Sequence, residues 1–382
     1  MKVLIFGISN ISNIGDNLIA ETTDYLVKLS KPEVDICHRD LFLRWRNLTG
    51  SHRLLALVLT VIRVFCEKIK FYRLSELAFS AQHTSYYKNA LKNADCCIVT
   101  TGMLKYSSQA HGYMYSVLCR ISDEMGVPVL LNAKSIQTGN YKDKRYIRLK
   151  TAINRKNIRI NTRDGVDGVR ILKEHYNIEN ANYVGDPALW SMEMHKIETK
   201  EKTIEVGVNL IRPSIYQDYG QKISAERVKR LYREICDELT RRGHRWAFFC
   251  NGMEDDYNWA LDLINSNKGY DFIPPNTTKE LIQTISSFNI IIGFRLHACI
   301  TAVAMDVPVV GMILDSKSRY FAKSMGLNHY FVEPNQLNAR HIVDLVEKRL
   351  SVHSVNDNKE LLKDKCKKAI SDFLEYSEKK IL

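Results

Sequence analysis

Short apolar runs alternate with amphipathic stretches along most of this chain. Val3 to Phe6 is an apolar run of the length and composition of a buried strand. It leads through Gly7-Ile8-Ser9-Asn10-Ile11-Ser12-Asn13-Ile14-Gly15-Asp16 into Asn17 to Leu29, where Leu18, Ile19, Tyr25, Leu26 and Leu29 recur at helical spacing. A strand, a turn rich in Gly and Asn, and a helix make the first βα unit of a doubly wound domain. Gly7 and Gly15 suit a tight backbone there, and Asn13 and Asp16 suit a helix start. The turn lacks the G-x-G-x-x-G spacing, so it does not read as a dinucleotide fingerprint.

The same alternation continues. Ala94 to Val99 reads as a strand, Gly112 to Met125 as a helix, and Val127 to Leu131 as the next strand. Asn157 to Asn161 predicts a strand ending at Thr162-Arg163-Asp164, which opens a helix over Val166 to His175. The first half is thus expected to be one parallel sheet with covering helices. After the polar stretch Ser191 to Thr203 the pattern restarts. Ile204 to Asn209 predicts a strand, Ala225 to Arg242 a helix, Trp246 to Cys250 a strand and Thr278 to Ser286 a helix. Ile290 to Ile292, Cys299 to Met305 and Pro308 to Leu314 then read as strand, buried helix and strand. The expected domains are residues 1–190, a linker over 191–203, residues 204–338, and C-terminal helices over 339–382. The predicted architecture is two Rossmann-like doubly wound domains facing a cleft.

One stretch breaks the rhythm. Leu54 to Phe65 is the most hydrophobic segment, flanked by Lys68, Lys70 and Arg73. It is too short to cross a bilayer and contains Arg63. It is read as a helix buried in or covering the first domain. The alternative is a helix lying in a membrane interface.

Composition narrows the function classes. The chain has 382 residues, a charged fraction of 26% and a net charge of +12. Its cations are spread along the sequence without a nucleic-acid-binding signature, so no nucleic-acid partner is expected. Nine cysteines carry no C-x-x-C pair, which argues against a zinc site or disulfide framework and for a reducing compartment. The start of the chain has no signal-peptide layout, and the expected location is cytoplasmic.

The candidate chemistry gathers around Gly293-Phe294-Arg295-Leu296-His297. An Arg and a His stand where a strand gives way to a helix, and Lys317 follows the next strand. Open α/β sheets bind ligands at such carboxyl ends, and a helix N-terminus favours anions. Arg295 and Lys317 there predict a site for a compact, multiply charged anion.

The stretch from Gly293 to Gly326, with its R-L-H turn, small-residue helix, Pro-led strand and Lys, resembles the C-terminal signature of the polysaccharide pyruvyl transferase family. Asn13-Ile14-Gly15-Asp16 is similar to the family's N-x-G-D turn. Arg163-Asp164 followed by Gly185-Asp186-Pro187-Ala188-Leu189 is similar to its R-D and D-P-A-L pair. The resemblance implies a GT-B-like fold. It also implies transfer of the enolpyruvyl carbons of phosphoenolpyruvate onto a sugar of a cell-surface glycan or its precursor, forming a pyruvate ketal and releasing phosphate. Neither a cofactor nor a metal is expected, since phosphoenolpyruvate is a donor substrate.

On this reading Arg163, Arg295 and Lys317 bind the donor, with Asn13 and Gly15 in the binding set. His297 is the proton donor or relay and Asp16 the candidate base. The acceptor is a free, lipid-linked or nucleotide-linked sugar, with peripheral membrane contact at the inner face expected if it is lipid-linked. Two rivals stay open: a GT-B glycosyltransferase using a nucleotide-sugar donor, and a non-catalytic anion-binding protein of the same fold.

Overall fold

The computed structural model describes residues 1–7, 13–43, 49–100, 103–107, 111–197, 202, 204–266, 269–352 and 357–381. The turn between Gly7 and Asn13, and the junction at 101–102, lie outside the described residues. The chain forms two compact units, each built on its own parallel sheet. Unit 1 comprises residues 1–10, 23–184 and 365–382, and unit 2 comprises 11–22 and 185–364.

Unit 1 carries, in chain order, β1 (Lys2–Gly7), α1 (Ile14–Ser30), β2 (Asp35–Asp40), α2 (Gly50–Lys68), α3 (Tyr72–Leu91), β3 (Cys96–Val99), β4 (Met103–Leu104), α4 (His111–Met125), β5 (Val129–Ile136), α5 (Lys144–Ile153), β6 (Ile158–Thr162), α6 (Gly165–Glu174) and β7 (Asn182–Tyr183), although the first turns of α1 count with unit 2. The strand order is β2-β1-β3-β5-β6-β7, with β4 pairing β5 beside this path. Val3 through Phe6 are wholly buried whichever way they point, as an inner parallel strand covered on both faces requires. Strand β5 runs beyond the expected end at Leu131, because an irregularity between Leu131 and Lys134, with Ala133 at φ 49, re-aims it. An apolar run marks where a strand starts, but a bulge carries it on through Asn132 and Lys134 without an apolar signal.

Of the two placements expected for Leu54 to Phe65, within the first domain or covering it, the structure shows the covering one. The segment lies within α2, and Leu54 and Phe65 are 64% and 62% exposed. The helix packs on α3 through its other face, where Ala56, Cys66 and Glu67 are buried. Hydrophobic content alone does not say which face of a helix finds a partner.

Unit 2 carries α7 (Ser191–His195), β8 (Ile204–Asn209), α8 (Ile215–Asp218), α9 (Ala225–Arg241), β9 (Trp246–Phe249), α10 (Glu254–Ser266), β10 (Phe272–Ile273), α11 (Thr278–Ser286), β11 (Phe288–Gly293), α12 (Leu296–Ala304), β12 (Val309–Met312), α13 (Ser316–Ser324), β13 (Phe331–Val332) and α14 (Ala339–Leu350). The final helix, α15 (Asp357–Ile381), starts here and ends in unit 1. The sheet order is β10-β9-β8-β11-β12-β13, all parallel. Chain direction across the sheet therefore reverses between β8 and β11. Phe288 through Ile292 pair with Ile204 through Val208 at this join. The expected linker, 191–203, opens with α7, and the C-terminal residues 365–381 pack with unit 1 rather than forming a separate tail.

Candidate functional site

Unit 2 places its polar side chains at the carboxyl ends of the central strands, on both sides of the join between β8 and β11. In open α/β sheets this is where ligands bind. Asn209 ends β8 and is fully buried. Its Oδ1 accepts the backbone N–H of Arg295 at 2.8 Å, and its Nδ2 donates to Asn251 Oδ1 at 2.9 Å. The Asn251 carbonyl in turn accepts the backbone N–H of Ile14 at 3.1 Å. This chain of bonds ties the first turn of α1 to the ends of β9, β8 and β11.

Arg295 is the residue before α12, with extended backbone angles. Its guanidinium is held by a carboxylate. Nε donates to Asp256 Oδ2 and Nη2 to Asp256 Oδ1, both at 2.8 Å. Asp256 is 0% exposed, and the Arg295 side chain is 17% exposed. Asp256 also accepts the backbone N–H of Arg212 at 2.9 Å. Two of the three guanidinium nitrogens are thus committed to a buried carboxylate, which leaves Nη1 as the nitrogen outside that fork. An Arg at a buried strand end needs a counter-charge, and α10 supplies one from a distant part of the sequence.

His297 lies in the first turn of α12, half-buried. Gly15, the second residue of α1, packs directly on its ring. A Cβ built on Gly15 would sit 2.3 Å from His297 Nδ1 and 2.5 Å from Cγ. The N-x-G-D turn therefore takes glycine there because the imidazole occupies that space. Beside it, Asn13 Nδ2 donates to Asp16 Oδ2 at 2.8 Å, and Asn13 Oδ1 accepts the Gly15 N–H at 3.2 Å. Asn13, Gly15, Asp16, Arg295 and His297 thus come together in one unit although some 280 positions separate them in sequence.

Lys317 sits after the neighbouring strand β12, in the first turn of α13. Its Nζ lies 3.1 Å from Asp315 Oδ2 and 6.0 Å from the centre of the Tyr219 ring. Asp315 caps α13, accepting from the backbone of Lys317 at 3.0 Å and Ser318 at 3.2 Å, and Ser318 closes the reciprocal bond. Arg163 belongs to unit 1. Its Nε donates to Ser135 Oγ at 3.1 Å, and the neighbouring Asp164 accepts the Ile136 N–H at 2.7 Å. Both bonds fasten the turn after β6 to the end of β5. Asp186 caps the short helical turn at 187–190 by accepting the Ala188 N–H at 3.0 Å, a turn-forming role.

The sulfur atoms near the site are thiols. Burial pushes Cys250 up to about 11 and Cys299 up to about 12, so neither offers a nucleophilic thiolate. Among the described residues no group of three His, Cys, Asp or Glu side chains is placed to hold a metal ion.

Sequence reasoning missed Asp256, Asn209 and Asn251. Asn209 and Asn251 follow apolar runs, and a polar residue at a predicted strand end is a usable signal. Asp256 lies in α10, for which the sequence pattern predicted no helix, and nothing local marks it.

The family model described as polysaccharide pyruvyl transferase matches residues 13–316 of the chain. No curated protein matches it significantly in sequence. Among solved structures, the chain is similar to UDP-GlcNAc 2-epimerase from Methanocaldococcus jannaschii, at 12% identity and TM-score 0.60, covering 98% of this chain and 100% of that one. It is also similar to UDP-GlcNAc 2-epimerase from Neisseria meningitidis bound to UDP-GlcNAc, at 13% identity and TM-score 0.58, with the same coverage. The S. aureus MnaA–UDP co-structure follows at 9% identity and TM-score 0.54, covering 98% and 96%. At these identities the likeness is one of fold: two parallel-sheet α/β domains of the GT-B kind.

Proposed function

The chain belongs to the polysaccharide pyruvyl transferase family, and from that premise we propose that it moves the enolpyruvyl group of phosphoenolpyruvate onto a sugar of a glycan or glycan precursor. The observation that supports this reading most is the pairing of Arg295 and His297 at the start of α12, with the imidazole packed against Gly15. Cation, helix N-terminus and a titratable ring lie at the strand-order reversal of unit 2.

In this proposal the donor's anionic groups are held by the α12 N-terminus, Arg295 and Lys317. The fork between Arg295 and Asp256 fixes the guanidinium plane, so that Nη1 meets the donor without first being ordered. Lys317 acts as a point charge beside the phosphate. His297 delivers a proton to the methylene carbon, because imidazole exchanges protons near neutral pH. Protonation makes C2 electrophilic. One sugar hydroxyl then forms a C–O bond at C2, the bond to the phosphate oxygen breaks, and a second hydroxyl closes the ketal. Of the two hydroxyl protons, one balances the proton now on the methyl group and the other leaves with phosphate. Asp16, anchored by Asn13, is assigned to receive a hydroxyl proton.

Labelled phosphoenolpyruvate and a panel of free, lipid-linked and nucleotide-linked glycosides test the reaction directly. Acid-labile label on sugar with matching phosphate release is expected. His297→Ala should lower kcat by about a hundredfold or more while donor binding is kept. Unchanged ketal formation in that variant would remove His297 from the proton-transfer role.

A further inference from the structure

Helix α2 turns an apolar side outward. Leu54, Leu55, Val58, Val61, Ile62 and Phe65 are all exposed. At helical spacing these six fall within roughly 120° of its circumference. The acidic side chains of this region are directed into the domain. Glu67 accepts from Tyr113 Oη at 2.5 Å and pairs with Arg145, and Glu76 accepts from Ser116 and pairs with Arg148. The cations are left outside, for Lys68, Lys70 and Arg73 are exposed at the end of α2 and the start of α3.

We propose that this face of unit 1 docks on the surface of an anionic lipid bilayer, with the six apolar side chains entering the interfacial layer and Lys68, Lys70 and Arg73 meeting the headgroups. An apolar helical face rimmed by cations lies in the membrane plane rather than across it. No helix among the described residues is long and apolar enough to cross a membrane, which agrees with a surface contact. Charge decides the occupant. An apolar protein partner would account for the aliphatic strip but not for cations left outward while the nearby carboxylates are paired internally. An anionic lipid surface accounts for both. The assignment rests on unit 1 alone and stands or falls independently of the transfer reaction.

The test uses the full chain and two vesicle types, phosphatidylcholine alone and phosphatidylcholine doped with phosphatidylglycerol. The chain should sediment with the doped vesicles and be released by high salt. A V61D/F65D variant should lose binding by about tenfold or more, and so should a K68E/K70E/R73E variant. Because all five positions are exposed, the thermal midpoint should barely move in either. If the apolar variant does not fold, the charge-reversed one decides the matter alone. Wild-type protein left in the supernatant, equal binding to both vesicle types, or variants that bind as well as wild type would overturn the assignment. A wild-type dimer that V61D/F65D dissolves, with no vesicle binding, would also overturn it by showing a second copy on this face.

Discussion

At the scale of single residues, the contact between Gly15 and His297 is the most sensitive point of the candidate site. A methyl group at position 15 would lie 2.3 Å from His297 Nδ1 and 2.7 Å from its Cβ, so turning the ring does not clear it and the starts of α1 and α12 must move apart. Alanine suits a helix at least as well as glycine. Gly15→Ala should nevertheless lower the thermal midpoint, because overpacking costs about 1–3 kcal/mol, and lower kcat for transfer by about tenfold or more, since a displaced proton donor loses its alignment. Full activity in that variant would show that the ring position is irrelevant. The Arg295–Asp256 fork behaves differently. Arg295→Ala leaves the fully buried Asp256 carboxylate without its counter-charge, which costs on the order of 3 kcal/mol of stability. Loss of donor binding in that variant thus mixes recognition with folding. Arg295→Lys keeps the charge and gives up the bidentate geometry. It should raise KM for the donor by more than it lowers the melting temperature, which paired steady-state kinetics and thermal unfolding can separate.

Among the elements, α3 carries a pH response of its own. His83 is buried, its ring stacks on Phe79 at 3.9 Å between centres, and its Nδ1 donates to the Phe79 carbonyl at 3.0 Å. Burial lowers its pKa from 6.5 to about 4. The unfolded chain therefore binds more protons than the folded one between those values. Stability contributed by the neutral ring is full above about 6.5 and is lost as pH falls toward 4, by on the order of 3 kcal/mol. His83→Leu should flatten the acid limb of a melting-temperature profile over that window, whereas an unchanged limb would assign the acid sensitivity elsewhere. The elements read from apolar runs, β1, β8, β11 and β12, lie where the pattern put them. Helices α3, α5, α10 and α13 went unread, and α10 brings Asp256. Their apolar positions are interspersed with charges and aromatic rings that find partners only after folding, so periodicity alone underrates them.

For the molecule as a whole, the two units exchange chain at both ends. Residues 365–381 of α15 complete unit 1: Arg159 lies over the Tyr376 ring at 4.5 Å, Lys380 bonds Asn157, and Ile370, Phe373 and Leu374 are buried. Ending the chain after Asp364 should cost unit 1 on the order of 5 kcal/mol through these apolar side chains. Hydrogen exchange should then show lost protection in β3, β5 and β6 while β8, β11 and β12 keep theirs. Uniform loss across both sheets would contradict the division. The strands read from apolar runs, the parallel class of both sheets and the grouping of Arg295, His297 and Lys317 near consecutive strand ends were determined by sequence alone, because apolar period and turn residues are local properties. Only tertiary structure decided that Asp256 holds Arg295, that Gly15 makes room for His297 and that the apolar side of α2 faces outward. Each of these depends on which distant surface a side chain meets, and local pattern carries no information about that.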